Sequence, residues 1–299
     1  MRFLTVLIIS SITLSLFSAQ AECKNKIIVG VVDTGIDPSH EQIKNHLWQD
    51  PYHKDTFYGW DVSLNTQNPV DSHGHGTHIG GIINHVTNCA LLMPVRYYVE
   101  SAPGQINVEN SVKALEFAVN HGARVINYSG GGALPSSQEK SILENAKSKG
   151  IIVVVAAGNE HHNLDQAGSD TKYYPASYGL DNIIVVANAK HGTSPKYDDL
   201  SRSSNWGHDS VDVAVYGEDI VSSIPGNRYR TMTGTSQATA FVSGYIVSLL
   251  SKNPNLSITK IKDQLSRNTV KTFNLFTKVK SGGVLIVPMT GRSPAHDGN

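Results

Sequence analysis

The 299-residue sequence lacks a net charge, because its 25 Lys and Arg residues balance its 25 Asp and Glu residues. A chain without an overall basic field has no general attraction for nucleic acid or for an anionic membrane surface, so we expect neither as a partner. The sequence also lacks long charge runs, low-complexity tracts and repeats of the solenoid kind. These absences favour a compact globular protein that acts through a local site.

Long hydrophobic runs are also lacking, apart from one at the N-terminus. Met1-Arg2 precedes a mostly apolar stretch over residues 3–17, which is shorter than the roughly 20 residues that a membrane-spanning helix needs. Ala19-Gln20-Ala21 then has the small-x-small pattern that signal peptidase recognises. We therefore predict that residues 1–21 are a signal peptide, and that the mature protein, residues 22–299, has no stable membrane anchor and is secreted or periplasmic.

Cysteine is scarce: the sequence has two, Cys23 and Cys89, both in the mature part of the chain. An oxidising compartment favours a disulfide between them. Each cysteine precedes a predicted strand, and if these strands are parallel neighbours, their starts lie side by side. The alternative is a pair of free thiols, one of them buried.

Short runs rich in Val and Ile alternate with stretches of helical character. The runs are continuous and β-branched, which predicts buried strands over residues 27–32, 90–98, 124–128, 151–157 and 183–187. Helices are predicted over residues 108–121, 137–149, 236–251 and 257–267. Ser136 and Glu139 form a capping-box pattern at the start of the second helix.

This alternation predicts an α/β fold with three layers, in which a doubly wound parallel sheet is covered by helices on both faces. No linker divides the mature chain into two domains. The last ten residues, 290–299, are polar and offer little to pack, so we expect them to fray.

Three short segments carry chemically reactive side chains. They are Asp33-Thr34-Gly35 after the first predicted strand, His73-Gly74-His75-Gly76-Thr77-His78, and Gly234-Thr235-Ser236-Gln237-Ala238 at a helix start. In the order Asp, His, Ser, they resemble the segments of the subtilisin-like serine proteases, the subtilase family. The resemblance spans residues 27–287 and includes Val125-Ile126-Asn127-Tyr128-Ser129-Gly130-Gly131, Ala156-Ala157-Gly158-Asn159 and Tyr174-Pro175-Ala176.

The resemblance implies an exported serine endopeptidase that acts on proteins or peptides. Its catalytic triad would be Asp33, His75 and Ser236, with an acyl-enzyme formed on the serine. Asn159 would donate a hydrogen bond to the oxyanion. The substrate would pair as an added strand with Ser129, Gly130 and Gly131.

Two other functions remain open on the same residues. One is a binding protein of this fold with weak or no activity, and the other is a peptide ligase or transpeptidase. A Gly-x-Ser-x-Gly elbow is absent, which argues against an esterase of the α/β-hydrolase type. His73, His75 and His78 have the spacing of a zinc-hydrolase motif, but Thr77 stands where that motif requires Asp, so we predict no metal there. The resemblance leaves open a structural calcium ion, without identifying ligands, and indicates no other cofactor.

Several positions depart from the family pattern. Gln237 stands where Met is usual, Ala240 where Pro is usual, and Val215-Tyr216 where Ala-Pro is usual. Tyr173 aligns near the floor of the primary specificity pocket. A ring that points inward would favour small side chains before the scissile bond, and a ring that points to solvent would leave the pocket open. The sequence favours neither orientation.

Secreted relatives commonly carry a pro-segment that assists folding. Here Asp33 lies 12 residues after Ala21 (33 − 21 = 12), which is too short for a separate folding domain. We therefore expect either that the mature chain folds unaided or that a separately encoded inhibitor or folding partner occupies the cleft.

Overall fold

A computed structural model of the chain describes residues 23–51, 58–168 and 170–288. The predicted signal peptide and the predicted frayed tail therefore lie outside the described residues. Over the described part, the α-helices are α1 (His75–Val86), α2 (Gly104–Asn120), α3 (Ser137–Ser148), α4 (Thr235–Lys252) and α5 (Ile258–Arg267). None of them is long and apolar enough to cross a membrane.

The same residues form twelve strands, which are numbered in chain order. The first six are β1 (Ile27–Asp33), β2 (Trp60–Asp61), β3 (Ala90–Arg96), β4 (Val125–Tyr128), β5 (Ile152–Ala156) and β6 (Ile183–Lys190). The others are β7 (Asp199–Leu200), β8 (Val213–Tyr216), β9 (Ile220–Ile224), β10 (Arg228–Met232), β11 (Thr269–Lys271) and β12 (Gly283–Leu285).

Ten of these strands form one central sheet. Its order is β11-β12-β8-β6-β5-β4-β1-β3-β2, with β7 paired to β6. All pairings from β2 to β8 along this order are parallel, whereas β11 and β7 run antiparallel to their neighbours. β9 and β10 form a separate antiparallel hairpin. The α/β prediction with a mostly parallel sheet is confirmed.

Hydrophobic residues cover the sheet on both faces. Successive side chains of a strand point to opposite faces, so a strand that is buried on both sides has no polar alternation. In β5, Ile152 and Val154 pack into the core formed with α1, α4 and α5, while Val153 and Val155 pack into the core formed with α2 and α3. This double burial explains why the central strands are continuous apolar runs in the sequence.

Helix and strand boundaries differ from the predictions by a few residues. α2 begins at Gly104, four residues earlier than predicted, and the Asn107 side chain in its first turn bonds both the N–H and the carbonyl of Val99, at 3.0 Å each. β3 ends at Arg96, two residues earlier than predicted. One of the two hydrogen bonds of the predicted capping box is formed, because the Glu139 N–H donates to the Ser136 hydroxyl at 3.2 Å.

Cys23 and Cys89 form the predicted disulfide. Their Cα atoms lie 5.4 Å apart and close a loop with a sequence separation of 66. The bond is reachable because β1 and β3 are parallel neighbours with Ile27 opposite Ala90. The two chain segments therefore enter the sheet side by side, as the disulfide prediction required.

The disulfide should stabilise the fold by restricting the unfolded chain. We expect a Cys23→Ser/Cys89→Ser protein to lose about 2–4 kcal/mol of unfolding free energy, and the reduced parent protein to lose a similar amount. Urea unfolding followed by tryptophan fluorescence, in a Ser236→Ala background that prevents self-digestion, measures both. Two alkylatable thiols in the unreduced, unfolded exported protein would contradict the bond.

Candidate active site

Asp33 and His75 lie in hydrogen-bond contact where β1 meets α1. Asp33 is the last residue of β1 and is buried, and His75 is the first residue of α1. The Asp33 Oδ1 atom lies 2.8 Å from His75 Nδ1. It also accepts the Thr34 N–H at 2.7 Å. A carboxylate at Nδ1 holds the ring proton there, so Nε2 is left with its lone pair available as a base.

The absence of a side chain at Gly76 allows this contact. A Cβ atom at that position would collide with the Gly35 carbonyl oxygen and would lie 3.2 Å from Asp33 Oδ1. The Gly76 N–H instead donates to the Thr34 hydroxyl at 2.8 Å. The first turn of α1 therefore packs directly on the backbone that follows β1.

Asp71 holds the N-terminal end of α1 in place through hydrogen bonds. Its buried carboxylate accepts the N–H groups of His73, Gly74 and Thr77 at 2.8–2.9 Å. It also accepts the hydroxyls of Thr34 at 2.9 Å and Thr77 at 2.6 Å. Helix N-termini present free N–H groups and a positive dipole end, and a carboxylate satisfies both. Asp71 thus fixes the loop and the helix turn that carry His75.

The surroundings of His75 shift its pKa upward. Burial lowers the pKa of the imidazole, but the charge and hydrogen bond of Asp33 and the charge of Asp71 raise it, and the net shift is above the ordinary value. The imidazolium form is therefore stabilised. This is the charge state that His75 would acquire on taking a proton from a neighbouring hydroxyl.

Ser236 lies in the first turn of α4, and its hydroxyl faces the end of β4. The Ser236 Oγ atom donates to the Ser129 carbonyl at 3.1 Å. The Ser129 hydroxyl lies 3.4 Å from the Ser236 carbonyl in return, and it accepts from Asn127 Nδ2 at 2.9 Å. Within the described part of the chain, Ser236 bonds this strand end rather than the His75 ring. The structure thus joins Asp33 to His75 and Ser236 to Ser129, but it does not join the serine to the histidine.

Asn159 follows β5 and is tied to the residue before Ser236. Its Oδ1 atom accepts the Thr235 N–H at 3.0 Å and the Thr235 hydroxyl at 3.2 Å. Because both bonds use the oxygen, the Asn159 Nδ2 donors are free to point elsewhere. The amide is therefore oriented before any ligand arrives.

Ser129, Gly130 and Gly131 continue the chain beyond β4. Ser129 is buried, Gly130 is partly buried and Gly131 is exposed. The next residue, Gly132, exchanges two backbone hydrogen bonds with Tyr174, at 2.8 and 3.0 Å. The segment is therefore held at one end by Ser236, which bonds Ser129, and at the other by Tyr174, with Gly131 open to solvent.

The three histidines of the zinc-like spacing do not converge. His78 is buried on α1, and its Nε2 lies 3.0 Å from the carbonyls of Ile220 and Arg230. Burial, first of all, lowers the pKa of His78 to about 4. His73 is exposed and packs edge-on to His75 with ring centroids 6.4 Å apart. Among the described residues, no group of three or more His, Cys, Asp or Glu side chains is arranged to hold a metal ion.

The sequence matches one protein family over nearly the whole described part of the chain. The model of the subtilase family matches residues 24–285. The chain belongs to the subtilase family. It is 35% identical over 237 residues to a thermophilic serine proteinase of Bacillus sp. (strain AK1), a match that covers 76% of this chain and 53% of that protein. It is 31% identical over 245 residues to subtilisin DY of Bacillus licheniformis, covering 80% and 81%. By family, the chain is a subtilisin-like serine endopeptidase.

A solved structure shows the same fold. The chain resembles a cold adapted subtilisin-like serine proteinase with a TM-score of 0.69 at 23% identity, over 86% of this chain and 89% of the other. The likeness concerns the arrangement of the backbone. The chain spans about half the length of the thermophilic proteinase named above, at 53%.

Sequence reasoning missed three residues that hold this subtilase site together: Thr34, Asp71 and Thr235. Asp71 and Thr34 lie 37 positions apart, and Thr235 and Asn159 lie 76 apart. A signal was present for Asp71 alone, since aspartate often caps helices and α1 begins four residues later. Thr34 and Thr235 stand inside the motif segments, but the contacts that give them a role form only after folding.

Removing the charge of Asp71 should move the pH dependence of activity. With His75 as the general base that the sequence predicts, kcat/KM should rise with pH through the His75 pKa, which Asp71 helps to raise. Asp71→Asn should therefore shift this acidic limb to lower pH and destabilise the fold by about 1–3 kcal/mol. The measurement is kcat/KM against pH with a peptide substrate, with Asp263→Asn, an exposed position on α5, as the control. An unmoved limb in a folded Asp71→Asn protein would contradict the assignment.

Proposed function

We propose that this chain is an exported endopeptidase that hydrolyses peptide bonds with Asp33, His75 and Ser236 as its triad. The observation that carries the proposal is the 2.8 Å contact between Asp33 and His75, at the same sheet edge as a serine in the first turn of a helix. Such an edge, at the carboxyl ends of parallel strands, is where active sites of α/β sheets form. Family membership supports the same chemistry.

The reaction begins with the serine hydroxyl. His75 Nε2 takes the proton from Ser236 Oγ as the oxygen attacks the substrate carbonyl carbon, and Asp33 stabilises the imidazolium that forms. The imidazolium then protonates the departing amine, which leaves an acyl-enzyme. His75 then takes a proton from water as the water oxygen attacks the ester carbon, and the imidazolium returns that proton to Ser236 Oγ as the carboxylic acid leaves.

Substrate binding would also free the nucleophile. At rest, the Ser236 hydroxyl donates to the Ser129 carbonyl at 3.1 Å. A peptide that adds as a strand to residues 129–131 offers its own N–H to such a carbonyl. The serine hydroxyl would then turn to His75, a change consistent with the looser geometry of many ligand-free active sites.

Charge on the tetrahedral intermediate would be stabilised by two kinds of donor. Asn159 offers Nδ2, since its oxygen is already engaged by Thr235. The backbone N–H of Ser236 lies in the first turn of α4, where the helix dipole is positive. Both donors would act without reorganisation during the reaction.

Export rests on the N-terminal sequence and on the cysteines. The signal-peptide pattern over residues 1–21 favours secretion or transfer to a periplasm. The disulfide between Cys23 and Cys89 suits an oxidising compartment. Peptides and proteins outside the cytoplasm would then be the substrates.

Ser236→Ala should lower kcat by about 10⁶-fold with the fold unchanged, because the nucleophile is lost. A fluorophosphonate probe should label the parent protein at Ser236 and leave the variant unlabelled. Circular dichroism of both proteins is the control for folding. Wild-type turnover by Ser236→Ala would overturn the triad, and failure to label the folded parent would favour an inactive binding protein.

Asn159→Ala should lower kcat by about 10²–10³-fold with little change in KM, because the lost bond forms only in the transition state. Thr235→Val is the matched variant: it keeps the backbone N–H to Asn159 and removes only the hydroxyl, so we expect a loss of about tenfold or less. Steady-state kinetics on one peptide substrate compares them. Equal losses in kcat would contradict the separate roles.

A further inference from the structure

The ring of Tyr173 lies between two segments that flank the nucleophile. A Cβ atom placed on Gly131 would lie 2.5 Å from Tyr173 Cε1 and 2.9 Å from Cζ. A Cβ atom placed on Gly158 would lie 2.9 Å from Tyr173 Cδ2. Opposite edges of one ring therefore touch the chain after β4 and the chain after β5. The orientation that the sequence left open is thus inward.

The backbone of Tyr173 is fixed on both sides. Its N–H donates to the Ser177 hydroxyl at 3.2 Å, and its carbonyl accepts the Ser177 N–H at 2.8 Å. The next residue, Tyr174, exchanges two hydrogen bonds with Gly132. Tyr173 is partly buried, and burial, together with the charges of Glu160 and Glu139, raises the pKa of its hydroxyl. These bonds fix the Tyr173 backbone, and the contacts of the ring with the two glycine segments fix its direction.

The space that the ring occupies is where a substrate side chain would go. β4 and β5 are parallel neighbours with Tyr128 opposite Val155, so the segments that follow them leave the same edge of the sheet, and the Tyr173 ring lies between Gly131 and Gly158 of these segments. Under the proposed function, the scissile carbonyl lies between Ser236 and Asn159, and the peptide pairs with the Gly131 segment. The residue that provides this carbonyl then directs its side chain into the crevice between the two continuations.

We propose that Tyr173 closes this crevice and restricts the residue before the scissile bond to glycine, alanine or serine. The inference rests on the proposed function, since it concerns the same site. A side chain with several more carbon atoms has no room beside a ring that already touches glycine on both sides. Packed protein interiors do not yield freely to added volume, so the larger substrate loses binding in the transition state.

The backbone next to the ring supports this assignment. Both positions that face the ring are glycine, and Gly158 adopts a φ of +101°, which favours glycine independently. Gly131 has no such requirement, since its φ is not in the left-handed region. The lack of a side chain at Gly131 is explained by two neighbours, because a Cβ atom there would collide with the Tyr174 carbonyl oxygen and would lie 2.5 Å from Tyr173 Cε1.

The test is a set of peptides that differ only in the residue before the scissile bond: alanine, leucine or phenylalanine. The parent protein should cleave the alanine peptide with a kcat/KM at least about tenfold above that for phenylalanine. Tyr173→Ala should cleave the phenylalanine peptide faster than the parent does, so that the ratio of kcat/KM for alanine to kcat/KM for phenylalanine falls at least about tenfold. Tyr173→Phe keeps the ring and is the matched control, with the parent's preference retained.

The outcomes separate this inference from the proposed function. Cleavage after phenylalanine or leucine by the parent protein at the rate for alanine would overturn the role of Tyr173 while leaving the triad intact. A preference unchanged in folded Tyr173→Ala would do the same. No cleavage of any peptide, with no fluorophosphonate label on Ser236, would instead overturn the proposed function. Should Tyr173→Ala fail to fold, mass spectrometry of the parent's cuts in a denatured protein decides, because cuts after large residues contradict the proposal.

Discussion

The active site depends on how closely the first turn of α1 approaches the end of β1. A side chain at residue 76 would strike the carbonyl oxygen of Gly35, so the contact between Asp33 and His75 requires glycine there. The close approach also withdraws helix N–H groups from water, and buried donors without acceptors are costly. The Asp71 carboxylate accepts the N–H of Thr77 in the first turn of α1 and the N–H groups of His73 and Gly74 just before it. One buried charge therefore both holds the helix in place and stabilises the protonated form of His75.

The central layer of the fold could be predicted because burial on both faces leaves a direct mark on the sequence. β4, β5 and β6 are short β-branched runs, and no polar side chain interrupts β5. The disulfide followed from the same reasoning, since Cys23 and Cys89 each precede a strand. The short strands at the edges of the sheet could not be predicted in the same way. β2 has two residues and β11 has three, so neither carries enough periodicity to be recognised.

For the candidate site, the sequence predicted which residues are present but not how they contact one another. Asp33, His75, Ser236 and Asn159 could be named from the sequence because they stand in ordered motifs, but their contacts could not. The direction of the Ser236 hydroxyl depends on a carbonyl 107 positions away, and the orientation of the Asn159 amide depends on a residue 76 positions away. Tyr173 is the same problem in one side chain: its direction is decided by glycines on two different segments. Such contacts join residues that are far apart in the sequence, so a local sequence motif does not predict them.

Ala240 stands on α4 where the subtilase pattern usually has proline, and the packing of this helix shows what the alanine allows. α4 runs without interruption from Thr235 to Lys252, and Ala240 is fully buried within it. In a regular helix the N–H of residue 240 donates to the carbonyl of residue 236, a bond that proline cannot make. That carbonyl also faces the Ser129 hydroxyl at 3.4 Å. With alanine at position 240, the Ser236 carbonyl thus has a helix donor as well as a contact to the Ser129 hydroxyl. The Ser236 backbone is therefore held from both sides, while its hydroxyl donates to the Ser129 carbonyl.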